Sequence, residues 1–302
     1  MEEIYILNTR IYNQAFWSKM RGTLVNHDDL KEGQIDGGYQ LPNDSLDKFY
    51  KALERDNLFR RLATVLSLTN LEGTVHATTS TGSAGVVEEG NIIPEDGDKF
   101  TQFPVRSYKI ASIAKLKESF VSDNDFNLEK YLTTDFARRF GRAEENLFIN
   151  GHGVTNQTGI LSVSESVNAK ETNTLSYDEI VELYFSIEAE YRKDAVFIMN
   201  DETAFYLRTL KDDDGNYLWN SNNDTIFGKE VITSPYMPSI ESGKQLIIFG
   251  DLSFYWVIER KPLAIQVLSE LYKNQGQVGF IGYERVDGKL IRPEAVKTIK
   301  MA

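Results

Sequence analysis

One stretch constrains the fold more than any other. Residues 122–161, SDNDFNLEKYLTTDFARRFGRAEENLFINGHGVTNQTGIL, read as a single long helix that stops in a glycine-rich loop. Leu128, Leu132, Phe136, Phe140, Ala143 and Leu147 recur at steps of four and three, with Tyr131 and Ala137 widening the stripe. That spacing puts them on one helix face. Glu129, Lys130, Thr133, Arg138, Arg142 and Glu145 fall on the other. Asp125 or Asn127 can cap the start by accepting a backbone N–H that has no partner inside the helix. Gly151 and Gly153 can take the left-handed turn that ends it. From Asn127 to Ile149 the helix is roughly 35 Å long. Gly141 sits mid-helix at a cost of about 1 kcal/mol relative to alanine, which implies that another element approaches closely there. An ordinary core helix explains the stripe, but not the length or the loop.

The 302 residues carry a formal net charge of −12. A polyanion gains nothing from that average field, so binding to the outside of a duplex is disfavoured, while an acidic wall facing packaged nucleic acid would not adhere to it. The absence of cysteine excludes disulfides, thiolate metal sites and a cysteine nucleophile. No uncharged apolar run approaches the length of about 20 residues that a membrane span needs. MEEIYILNTR lacks the basic start and apolar segment of a secretory signal. The chain reads as a soluble protein made in a cytoplasm, with no membrane partner.

Residues 1–36 read as an arm. Ile4, Ile6, Ile11, Phe16, Trp17 and Met20 are interrupted by Asn8, Thr9, Asn13 and Arg21, and residues 23–38 are polar and glycine-punctuated. Such a segment buries too little surface to order itself, so it is disordered alone or ordered against a neighbour. Pro42 with Asn43, Asp44 and Ser45 marks a helix whose buried face is Leu46, Phe49, Tyr50 and Leu53. Leu58 to Leu68 is a second apolar stretch running into a strand. Residues 69–117 then change character. Thr74 to Gly85 is rich in Thr, Ser and Gly, GVVEEGNIIPEDGDKF is acidic and turn-forming, and FPVRSYKIASIAKLK alternates. Tyr108, Ile110, Ser112, Ala114 and Leu116 share one strand face, and Lys109, Lys115 and Lys117 the other. Two extended arms around a turn-rich tip make a long hairpin, which is marginal in water without a partner surface. Further on, Tyr177 to Tyr191 is an amphipathic helix, AVFIMN a strand apolar on both faces, and DETAFYLRTLK a helix capped by Asn200 or Asp201. TIFGKEVITSPYMP, QLIIFGDLSFYWVIERK and LAIQVLSE read as strands divided by glycine, proline and aspartate. The chain ends in a strand pair around an Asp287-Gly288 turn and one last strand.

Chemistry-bearing residues are few. His27, His76 and His152 sit in separate polar, glycine-rich settings and read as surface loop residues. Asp212-Asp213-Asp214-Gly215 lacks the ligand spacing of a calcium loop and reads as a turn. Gly151-His152-Gly153 follows its helix, whereas a phosphate loop precedes one. No nucleophile elbow occurs. The adjacent pairs Glu88-Glu89 and Glu144-Glu145 are expected to point apart into solvent. No catalytic, cofactor-binding or metal-binding residue is assigned, and no cofactor is expected.

The order of motifs is more specific than any one of them. Gly37-Gly38-Tyr39-Gln40-Leu41-Pro42, Leu58-Phe59-Arg60-Arg61-Leu62-Ala63, Val87-Glu88-Glu89-Gly90 and Phe103 to Lys117 come first. Phe148-Ile149-Asn150-Gly151-His152-Gly153 and Thr158-Gly159-Ile160-Leu161 follow, then Leu210 to Trp219, Phe227-Gly228, Gly250-Asp251 and Arg285 to Ala295. In that order, over nearly the whole chain, they resemble the major capsid protein of tailed bacteriophages with the Hong Kong 97-like fold. The resemblance implies an α+β fold with an N-arm (1–36), an extended E-loop hairpin over a neighbouring subunit (69–112) and a mixed α/β axial domain (165–280). A peripheral domain with the long helix as its spine is implied over 37–68, 113–164 and 281–302. It implies a structural, non-enzymatic protein of a tailed phage or prophage. Hexamers and pentamers of it would form an icosahedral shell around double-stranded DNA bound without sequence specificity. A scaffolding protein, portal and maturation protease are the implied partners, in the virion and, during assembly, the host cytoplasm.

Two departures from the family pattern stand out. The helical scaffolding segment of many members has no counterpart here, which implies a separate scaffolding protein or a processed form. For the covalent crosslink of some members, Lys99 can stand for the lysine, but Gly276 and Tyr283 fall where the asparagine and glutamate belong, with Asn274 and Glu284 nearby, so no crosslink is expected. An encapsulin-type nanocompartment shell shares the fold and is the alternative; the polar arm and the helix exit favour phage. A hydrolase is a remote third reading.

Overall fold

The computed structural model describes residues 7–68, 73–80, 99–211, 214, 215, 217, 219 and 225–302. In chain order the strands are β1 (Gln34–Ile35), β2 (Gly38–Gln40), β3 (Thr64–Ser67), β4 (Gly73–Ser80), β5 (Lys99–Val105), β6 (Tyr108–Lys117) and β7 (Glu165–Asn168). They continue as β8 (Val196–Met199), β9 (Thr225–Ile226), β10 (Lys229–Thr233), β11 (Gln245–Gly250), β12 (Tyr255–Leu268), β13 (Gln277–Leu290) and β14 (Val296–Lys300). One six-stranded sheet has the order β1-β2-β12-β13-β6, with β3 also pairing with β12. A second runs β7-β14-β11-β8-β10-β9, and β4 pairs with β5 alone. Both large sheets are mixed, since β3 runs parallel to β12 and β7 parallel to β14. The α+β reading holds.

The long helix spans Leu128–Asn150, and the Asn127 side chain accepts from the Lys130 N–H at 2.8 Å. Its stripe forms because Leu132, Phe136, Ala137 and Phe140 lose essentially all contact with water. Gly282 of β13 lets it come close: a Cβ there would lie 2.8 Å from the Phe136 ring. Gly141 does face a close neighbour, since a Cβ there would sit 3.3 Å from Leu53 Cδ1 of the helix Asn43–Asp56. The exit differs from expectation in one respect. Gly153 is left-handed (φ +71°), but Gly151 is extended (φ −63°). Glycine is needed at 151 for space, because a Cβ would lie 2.1 Å from the Gln157 carbonyl oxygen.

Two apolar cores result. One gathers the first sheet, the helices Arg10–Met20 and Asn43–Asp56, and the long helix from Leu128 to Phe140. The other gathers the second sheet, the helices Tyr177–Phe185 and Asp201–Thr209, and Phe148 and Ile149 from the last turns of the long helix. Strands β12 and β13 also serve both. Leu263, Ile265 and Phe280 belong to the first core; Tyr255, Val257, Val286 and Leu290 belong to the second.

Several expectations are corrected. The arm from residue 7 onward folds onto its own chain. Thr9 caps the helix Arg10–Met20, and Tyr12, Phe16 and Met20, four residues apart, are buried in the first core. Arg21 fastens its end, donating to the carbonyls of Val121 and Asp123 at 2.8 Å and of Phe126 at 2.6 Å. The expected helix 177–191 breaks at residues 186–188 into Tyr177–Phe185 and Ala189–Arg192. Strand β12 runs through Lys261-Pro262 by way of register shifts instead of ending there. Asp287-Gly288 is not a turn: β13 continues through it, and the glycine makes room for Tyr255, whose Oη would lie 2.0 Å from a Cβ at 288. The sheets also cross the expected segment bounds. Strand β12, within 165–280, joins the first sheet, and β14, within 281–302, joins the second.

Candidate assembly site

Strands β4 and β5 form an antiparallel ribbon from Gly73↔Val105 to Ser80↔Lys99. Among its described side chains only Ala77 and Val105 are buried, and Phe100 is 68% exposed. The tip, with Glu88 and Glu89, lies outside the described residues. The foot, by contrast, is tied down. The Arg106 N–H donates to Asp287 Oδ2 at 2.8 Å, and its guanidinium donates to the Val154 carbonyl at 3.0 Å. Tyr108 Oη donates to the Gly153 carbonyl at 3.3 Å. Farther along β4, opposite Phe100, the Thr78 carbonyl accepts from Arg292 Nη2 at 3.2 Å. A two-stranded ribbon with solvated faces gains little from its own packing. Its strand edges and exposed apolar side chains can be satisfied by another surface.

The elements around the second core carry their own exposed aromatics. Phe205 is 70% and Phe185 65% exposed. At the turn between β9 and β10, Phe227 has a positive φ of 51°, followed by Gly228 at 74°. A bulky residue in that region is strained. The Phe227 ring is held against Tyr184 and Tyr177, at centroid distances of 5.0 and 5.6 Å.

Between the two cores lies a layer of buried charge. Arg60, in the short helix Leu58–Leu62, donates through Nε to Glu144 Oε2 at 2.9 Å and through Nη2 to Glu144 Oε1. Its Nη1 donates to Glu259 Oε1. Asn57 Nδ2 also donates to Glu144, at 3.0 Å. Tyr50 Oη and Ser67 Oγ donate to Glu259 Oε2 at 2.9 and 3.2 Å. Glu284 completes the layer from β13. Burial first, then the nearby Glu144 carboxylate, pushes its carboxyl well above the usual range. For Arg60, burial works against the charge, but Glu144 and Glu259 outweigh it and hold the guanidinium ionised. The expectation that Glu144 and Glu145 are solvated is therefore wrong: both are buried, and Glu145 accepts from Ser234 Oγ at 2.6 Å and from the Leu58 N–H at 3.4 Å.

Of the residues singled out by sequence, Glu144 and Glu284 meet in this layer, and the others are scattered. His27 opens a short 3-10 turn, His76 lies on β4 and His152 in the loop after the long helix, all exposed. Asp212 and Asp213 lie outside the described residues. Lys99 begins β5, Asn274 is exposed in the turn Lys273–Gln275, and Gly276 adopts φ +63°. Tyr283 Oη donates to the Ile35 carbonyl and accepts from the Gly38 N–H at 2.8 Å. Sequence reading missed the charged layer. Its trace was there: Glu259 follows the apolar run of residues 255–258, and Glu284 follows that of residues 278–283.

Residues 37–301 match the sequence model of a family described as the phage capsid family. No curated protein sequence matches the chain. Among solved structures, the chain is similar to the capsid of an empty GTA particle computed with C5 symmetry, at 27% identity and a TM-score of 0.71, covering 81% of this chain and 89% of that one. The capsid of a native GTA particle gives 26% and 0.68, covering 83% and 90%. A chain from Gordonia phage Cozz shares the fold at 13% identity and a TM-score of 0.61, covering 82% and 87%.

Proposed function

We propose that this chain, which belongs to the phage capsid family and is a structural, non-enzymatic protein of a virion, assembles through hexamers and pentamers into an icosahedral shell around double-stranded DNA. The observation that carries the proposal is the β4–β5 ribbon, anchored at its foot and again at Thr78, with most of its described side chains exposed. In a shell it serves as the E-loop and lies over a neighbouring subunit, where Phe100 becomes buried. Residues 1–36 take the place of the N-arm, docked on their own subunit from residue 7 onward. The first sheet with the long helix forms the peripheral domain, and the second sheet forms the axial domain around the five- and sixfold axes. The fivefold symmetry of the similar GTA capsid supports the pentamer. Closed symmetry repeats each contact many times, so interfaces of modest strength sum to a stable shell. The charge of −12 suits an inner wall that does not hold DNA. A scaffolding protein, a portal and a maturation protease are the further partners, and assembly takes place in the cytoplasm of the host of a tailed phage or prophage.

Size-exclusion chromatography and negative-stain microscopy test the reading. The expected species are pentamers, hexamers, tubes or shells, with Phe100→Ser leaving folded monomers. A parent chain that stays strictly monomeric at high concentration would count against it.

A further inference from the structure

The charged layer sits where the two cores meet, and three of its members lie on elements that run through both: Glu144 on the long helix, Glu259 on β12 and Glu284 on β13. Arg60 and Ser67 lie on the two elements that precede β4 in the chain. The layer therefore joins the cores to the root of the ribbon.

Its hydrogen bonding is uneven. Every guanidinium nitrogen of Arg60 is spent on Glu144 and Glu259. Both oxygens of each of those carboxylates are occupied. Glu284 is 3% exposed, among the described residues its Oε1 has no hydrogen-bond partner, and the group it faces most closely is Glu144, another carboxyl group. Among the described residues, one cation thus faces three carboxyl groups. A carboxyl group with no cation of its own, set against a carboxylate whose cation is already shared, favours its protonated form.

We propose that this layer is a proton-controlled hinge, in which Glu284 keeps its proton and hydrogen-bonds through it to Glu144, and loss of that proton loosens both the seam between the cores and the root of the ribbon. The groups facing Glu284 are Glu144, Arg60 and Glu259, with Tyr50 beside Glu259 and Tyr255 toward Glu144. Both tyrosines are held neutral by burial. With Glu284 protonated, Arg60 leaves one net negative charge in the layer. When hydroxide takes the proton there are two, in a medium that solvates neither. The sign follows from linkage. A carboxyl group that binds its proton more tightly folded than unfolded stabilises the fold at low pH, and that contribution disappears as pH rises through the folded value.

The test uses the whole unassembled chain, so it does not depend on shell formation. Melting temperature is followed from about pH 6 to about pH 9 for the parent and Glu284→Gln; the parent should lose about 5 °C or more and the variant less than about 2 °C. Hydrogen-exchange protection of residues 58–67 should fall with pH in the parent alone. Parallel profiles in the two proteins overturn the proposal. If the variant does not fold, the parent's infrared spectrum decides. A protonated-carboxyl band at neutral pH that vanishes on the alkaline side supports the hinge, and no such band rules it out.

Discussion

The arm and the ribbon look alike as sequence: both are polar, interrupted and short of core residues. In the structure they part company. The arm places Tyr12, Phe16 and Met20 on one helical stripe and buries them against its own chain. The ribbon, across the described residues of both strands, buries only Ala77 and Val105. The difference lies in geometry more than in composition. A helix collects every fourth residue on one face, so three well-spaced apolar residues suffice to dock it. A two-stranded ribbon divides its side chains between two faces and needs a further layer to cover either.

The sharpest way to break this comparison is Phe16→Ala. If the arm belongs to the subunit core, chemical denaturation should show a loss of about 3–5 kcal/mol; a loss under about 1 kcal/mol would return the arm to the class of detachable segments. Arg21→Ala comes next. It removes three charge-assisted hydrogen bonds at a half-buried position, and the same measurement should show about 1–2 kcal/mol. The smallest effect on the subunit belongs to the ribbon. Phe100→Ser should change monomer stability by less than about 0.5 kcal/mol. A larger loss would mean that the ribbon packs on its own subunit after all.

What could be read beforehand was mostly periodic and local. The long helix announces itself by its stripe and its Asn127 cap, β6 by the alternation from Tyr108 to Lys117, and β8 by its unbroken apolar run. What could not be read depends on partners far along the chain. Asp287-Gly288 has the composition of a turn, but Tyr255 needs the glycine's empty side and Arg106 donates its N–H to the aspartate. Glu144 looks like a surface residue until Arg60, eighty-four positions earlier, is brought against it. Pro262 should end a strand, yet β12 passes it by shifting register. As for the assembly site, the sequence pointed to the ribbon but not to its foot, which is fastened by Asp287, Gly153 and Val154 from distant segments.

The pairing order of the first sheet also sets a timetable for synthesis. Strands β2 and β3 pair with β12, and β6 pairs with β13, so each waits for a partner within residues 255–290. At about 5–20 residues per second, β6 leaves the ribosome roughly 10–35 seconds before the strand that covers its edge. A nascent chain therefore carries open strands for most of its translation and closes only near the end. Finished subunits, not growing ones, are the units available for building anything larger.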